Sequence, residues 1–192
     1  MERISVFMGA NIGSDRIYTD AAVEFGIQLA SRNIGLVYGG GNIGLMGRMA
    51  DAVLHQGGEV IGVIPDFMVE KELAHEGATQ LIITQSMHER KATMVEMSDA
   101  VVAIPGGIGT LEELIEAYTW LNLRIINYPI GILNTGGYYD PLIEMLDKMV
   151  DQRFLKAAHR NRLVIEEDPS LLLDKLENTS YSFEERWHIT ES

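Results

Sequence analysis

The sequence predicts a doubly wound, Rossmann-like α/β domain with a mainly parallel sheet of about seven strands and helices on both faces. Three observations carry this prediction. Seven short apolar runs recur along the chain, at residues 4–8, 35–38, 60–64, 80–84, 100–104, 129–133 and 163–165. Several of them, such as Ala100-Val101-Val102-Ala103-Ile104, are apolar on consecutive residues, the pattern of strands covered on both faces. Longer amphipathic stretches separate them, at about 15–31, 43–56, 87–97, 109–124, 139–151 and 169–176, so strand and helix alternate.

Right-handed crossovers gather the strand-to-helix loops on one edge of such a sheet. Ligands bind at that edge, outside the strand C-termini. Residues 1–176 read as one domain. Residues 177–192 read as a polar tail, either docked through Tyr181, Phe183 and Trp187 or partly disordered.

Bulk properties narrow the function classes. The chain has 192 residues, enough for one sizeable core. Its 46% hydrophobic and 22% charged content is that of a globular domain. A formal net charge of -13 repels nucleic acid backbones, so no nucleic acid partner is expected. There is no cysteine, hence no disulfide framework, and no His/Asp/Glu cluster has metal-ligand spacing, so no metal is expected. With neither a signal peptide nor a long apolar run, no membrane association is expected and a cytoplasmic location is the default.

Two glycine loops fall on the ligand edge. Tyr38 to Gly47 reads YGGGNIGLMG and Pro105 to Glu113 reads PGGIGTLEE. Each follows an apolar strand and opens a helix. Glycine lets the backbone approach a ligand closely, and the new helix offers free N–H groups and a partial positive charge. Phosphate is the natural occupant, although glycine also serves plain turn geometry. Gly39, Gly41 and Gly44 match the weak dinucleotide fingerprint, but the loop follows the second strand rather than the first. No Walker-type P-loop is present.

Thr110 and Glu113 have the T-x-x-E spacing of a capping box, which would leave Glu113 without a chemical role. A carboxylate at that helix start would also stand rigidly beside a bound anion and would need a cation nearby. Ser86 to Lys91, SMHERK, supplies adjacent Arg90 and Lys91 on the same edge. The plainer alternative is a solvated helix face with Arg90 paired to Glu89 or Glu96.

These residues carry a resemblance. GGGNIGLMG (39–47), VIPDFM (63–68) with the later Glu72, MHERK (87–91), PGGIGTLEE (105–113), Thr119-Trp120, and Leu133-Asn134 with Gly137-Tyr138-Tyr139-Asp140 are similar to the LONELY GUY (LOG) family of cytokinin riboside 5'-monophosphate phosphoribohydrolases, also labelled lysine decarboxylases. The likeness runs from about residue 3 to 176. It implies cleavage of a purine nucleoside 5'-monophosphate, with adenine or N6-substituted adenine as base, into free base and ribose 5-phosphate. It implies a homodimer and no cofactor. Arg90 and Glu113 match the catalytic pair. Glu72, Met87, Lys91 and Thr119 match substrate-binding positions. So do Gly106, Gly107, Ile108, Gly109, Thr110, Leu111 and Glu112 of the second loop, with Gly40 and Gly41 of the first. The chain departs from the family at Gly9-Ala10-Asn11, where relatives carry hydroxyls. It departs again at Asn122, Arg124, Ile126 and Tyr128, where they tend to have Gln, Gly, His and Lys, and at Arg153, usually Gly.

The residue chemistry agrees with that implication. Cleaving an N-glycosidic bond builds positive charge on the ribose, which a fixed carboxylate stabilises. Two rivals stand beside it. A pyridoxal-phosphate decarboxylase would need a Schiff-base lysine. A nucleotide or molybdenum-cofactor carrier without turnover would use similar loops without needing an acid there.

Overall fold

The computed structural model describes residues 1–69 and 74–181. Among them, β1 (Arg3–Phe7), α1 (Arg16–Ser31), β2 (Gly35–Tyr38), α2 (Gly44–His55), β3 (Val60–Pro65) and β4 (Gln80–Thr84) form the first half. The second half holds α3 (Met87–Glu96), β5 (Ala100–Ala103), α4 (Ile108–Asn122), β6 (Ile130–Leu133), α5 (Asp140–Asp151), α6 (Ala157–Arg160), β7 (Leu163–Glu166) and α7 (Pro169–Glu177). The strands pair in the order β4-β3-β2-β1-β5-β6-β7, every pair parallel. The expected doubly wound architecture is therefore present, and the seven strands fall on the seven apolar runs. The short α6 lay outside the periodicity argument, because four residues are too few to show a period.

Strand residues alternate between two cores. Ile4, Val6, Leu36, Tyr38, Val60, Val102 and Leu133 pack with α1, α2 and α7. Phe7, Val37, Ile61, Val63, Val101, Ala103 and Ile132 pack with α3, α4 and α5. Both faces of the sheet are covered, which is why the runs are continuously apolar. The winding reverses at β1, which has β2 on one side and β5 on the other. The carboxyl ends of β1 and β5 thus form the switch point where such sheets bind ligands.

Four helices stop in one way. Asn33, Gly57, Arg124 and Arg153 follow the C-caps of α1, α2, α4 and α5 with φ of 57°, 76°, 62° and 65°. The next N–H of each reaches back into the last turn, as in Ile34 to Leu29, Gly58 to Val53, Ile125 to Trp120 and Phe154 to Met149. This left-handed stop favours glycine. Arg124 and Arg153 stand where the resembling family tends to have it, so those two departures retain the turn with a bulkier residue.

Candidate active site

A cavity of about 440 Å³ opens at the switch point between β1 and β5. The loop after β1 lines it with Gly9, Asn11 and Gly13, and the turn after β5 with Pro105, Gly106, Gly107 and Gly109. Met8, Met46, Met68 and Met87 give it a soft apolar lining, and Tyr18 and Tyr138 close one side. Arg90, Glu112 and Glu113 are its charged groups among the described residues.

Arg90 and Glu113 come from different helices, α3 and α4. Arg90 Nη1 donates to Glu113 Oε1 at 3.0 Å, and both side chains are 9% exposed. Arg90 Nε donates to the Val63 carbonyl at 3.0 Å, so the end of β3 anchors the guanidinium. Its Nη2 occupies the space over Gly39, where an added Cβ would overlap it. Gly39 of the first glycine loop thus makes room for Arg90.

The start of α3 explains why Arg90 is available. Ser86 caps it by accepting from Glu89 N at 3.1 Å, and Glu89 Oε2 accepts from Gln85 N at 2.7 Å. Glu89 is engaged at the helix start, so the alternative pairing of Arg90 with Glu89 or Glu96 is replaced by the pair with Glu113. The Ser86-x-x-Glu89 spacing was the signal for this cap.

The capping box expected at Thr110 and Glu113 is not what opens α4. Its N-cap is Gly107, which supplies no side-chain bond. Leu111 N makes the first helical bond, to Gly107 O at 3.1 Å, so the N–H groups of Ile108, Gly109 and Thr110 precede the ladder. Thr110 Oγ1 instead fills the space over Gly106. Gly107 and Gly109 would point a Cβ into open space.

Lys91 does not line the cavity. Its Nζ pairs with Glu112 Oε1 at 2.5 Å and Glu116 Oε2 at 2.8 Å, both on α4. Burial alone would lower the Lys91 ammonium, but the two carboxylates outweigh it and hold it above its ordinary value. The expected cationic duo is thus split, with Arg90 on the cavity and Lys91 off it, paired with Glu112, which lines the cavity, and Glu116, which does not. A Schiff-base lysine needs a depressed value and a free amine, so Lys91 does not fit pyridoxal phosphate chemistry.

The structure brings Met87, Gly106, Gly107, Gly109, Thr110 and Glu112 to the cavity with Arg90 and Glu113. Gly40 and Gly41 do not line it. Gly40 O accepts from His75 N at 2.9 Å, and Gly41 bridges Ala74, so this loop pairs with the segment after β3. Ile108, Leu111 and Thr119 also lie off the cavity, on the outward side of α4. Glu72, Phe183 and Trp187 lie outside the described residues. The last described ring, Tyr181, donates its hydroxyl to Arg162 O at 2.6 Å.

Known proteins share this arrangement of sequence. Residues 46–176 match the family model described as "Possible lysine decarboxylase". The chain is 46% identical over 178 residues to the probable cytokinin riboside 5'-monophosphate phosphoribohydrolase LOGL2 of Oryza sativa subsp. japonica, covering 93% of this chain and 73% of that one. It is 46% identical over 177 residues to the cytokinin riboside 5'-monophosphate phosphoribohydrolase LOG1 of Arabidopsis thaliana, covering 92% and 83%. Among solved structures, the molybdenum cofactor binding protein of Rippkaea orientalis superposes with a TM-score of 0.67 at 22% identity, covering 92% of this chain and 96% of that one, a likeness of fold alone. On the family model and the near full-length identity to its plant members, the chain belongs to the LONELY GUY (LOG) family.

Proposed function

We propose that the protein hydrolyses the N-glycosidic bond of a purine nucleoside 5'-monophosphate, releasing the base and ribose 5-phosphate. The observation that carries this is one cavity holding both the buried Arg90–Glu113 pair and the uncapped start of α4. The amides of that turn take the 5'-phosphate. Glu113 then stands beside the ribose, where bond cleavage builds positive charge, and stabilises it or activates the attacking water. Arg90 holds that carboxylate in place through Nη1 and steadies the departing base. Lys91 keeps Glu112 and Glu116 from repelling the phosphate. The plant relatives are named for cytokinin riboside 5'-monophosphate, which supports a cytokinin base, and adenine is the unsubstituted alternative of the same reading.

Incubation with AMP and with isopentenyladenosine monophosphate, followed by chromatography, tests the proposal. Free base from the monophosphates, none from adenosine and none with Glu113→Gln is the expected result. Ligand bound without any product would instead point to a carrier.

A homodimer is part of the same proposal. Ile108 is 82% exposed, and Ile115 and Thr119 continue its stripe along α4 toward exposed Leu123 and Ile125. A second copy seated there accounts for Ile108, Leu111 and Thr119 as binding positions that lie off their own cavity. Light scattering should give twice the chain mass, and Ile115→Asp should halve it. The cytoplasmic setting expected by default also belongs to this reading, and cell fractionation checks it.

A further inference from the structure

Three consecutive carbonyls leading into the turn before α4 are held from three directions. Ile104 O accepts from the Tyr139 hydroxyl at 2.8 Å, Pro105 O from Gly9 N at 3.2 Å, and Gly106 O from the Tyr138 hydroxyl at 2.5 Å. The two tyrosines are neighbours in sequence but differ in setting. Tyr139 is buried, whereas Tyr138 is 41% exposed and borders the cavity.

Tyr138 is itself fixed. Asn134 Oδ1 accepts from Tyr139 N and Asn134 Nδ2 donates to Asp140 Oδ1, both at 2.7 Å, so one side chain ties the loop on either side of the tyrosines. Gly136 and Gly137, at φ of 60° and 70°, let the chain turn into Tyr138. Its ring meets Tyr139 edge-on at 5.1 Å and Tyr18 edge-on at 5.6 Å. Tyr18 in turn packs over Gly13 of the loop after β1, at φ 78°.

The held carbonyl of Gly106 belongs to a peptide between two glycines. Neither residue has a Cβ, so rotation of that peptide meets little steric resistance. A trans peptide points its N–H opposite to its C=O, so whatever holds Gly106 O also aims the N–H of Gly107. We propose that Tyr138 is a positioning residue: its hydroxyl locks the Gly106–Gly107 peptide so that the anion-binding turn is organised before substrate arrives. This rests on the nucleotide reading of the cavity. An unlocked turn would have to order on binding, and the phosphate end of the ligand would bear that cost.

The test compares Tyr138→Phe with wild type by calorimetric titration of ribose 5-phosphate and, separately, of adenine. Loss of one hydrogen bond should weaken ribose 5-phosphate binding by about fivefold to tenfold. Adenine affinity and the melting temperature should hardly move, since the ring and its edge contacts remain. Tyr139→Phe, which empties a buried bond, should lower the melting temperature instead. Unchanged ribose 5-phosphate affinity in Tyr138→Phe, or an equal loss for both ligands, overturns the positioning role while base release by wild type leaves the hydrolase reading standing. If wild type neither binds ribose 5-phosphate nor releases base, both fall together.

Discussion

Arg90 and Glu113, 23 residues apart and on different helices, meet through a 3.0 Å bond with both side chains nearly closed to solvent. An ion pair so buried is not a stability device, because desolvation offsets most of its Coulomb attraction. Its value lies in holding a carboxylate at a fixed place beside a cavity. Removing Glu113's charge by Glu113→Gln should lower kcat by at least about a hundredfold, with KM changed far less. Arg90→Lys should fare little better, since one ammonium cannot serve Val63 O and Glu113 together. Steady-state kinetics on AMP check both.

Gly39→Ala tests the space over Arg90. The new methyl would overlap Nη2, so the guanidinium must shift and the Glu113 carboxylate with it. Displacement near 1 Å at a reacting group costs about a hundredfold in rate. Activity should therefore fall by that order in a protein whose circular dichroism is that of wild type.

The glycines of the second loop should separate into two behaviours. Gly106→Ala places a Cβ against Thr110 Oγ1 and 2.8 Å from Gly9 N, so it should lower the melting temperature. Gly109→Ala meets nothing within 4 Å and lies in the first turn of α4, where alanine is favoured by about 0.5–1 kcal/mol. It should keep or raise the melting temperature, yet raise KM because its methyl enters the phosphate site. A thermal melt beside a KM measurement distinguishes the two.

Lys91 predicts an alkaline limit. Its folded value is raised, so the unfolded chain releases the proton first as pH rises. The stability that the Glu112 and Glu116 pairs contribute is fully present below the ordinary lysine value of 10.5 and is lost as pH climbs through the higher folded value. Urea melts of wild type and Lys91→Met should differ by a constant amount below the ordinary lysine value and converge as pH climbs through the higher folded value. A gap unchanged through that climb would rule out the charge as the cause.

Much of the molecule was readable from local pattern. Continuous apolar runs marked strands covered on both faces, and helix-length stretches between them dictated a parallel, doubly wound sheet, because both are properties of short windows. The two glycine loops and the pairing of basic residues with Glu113 on one edge followed from that topology. Direction was not readable. Arg90 and Lys91 are adjacent, but successive helical residues diverge by about 100°, so only the packing of α3 on β3 and α4 decided that Arg90 faces the cavity and Lys91 faces Glu112 and Glu116. In the first glycine loop, only tertiary contact decides that Gly39 seats Arg90 and that Gly40 and Gly41 meet residues 74–75. Tyr138 reaches Gly106 across 32 residues, a contact that no window of sequence contains. The chain's pattern determined the sheet and the edge where chemistry occurs; three-dimensional packing decided which side chains point there, because side-chain direction depends on how whole elements dock and not on neighbours along the chain.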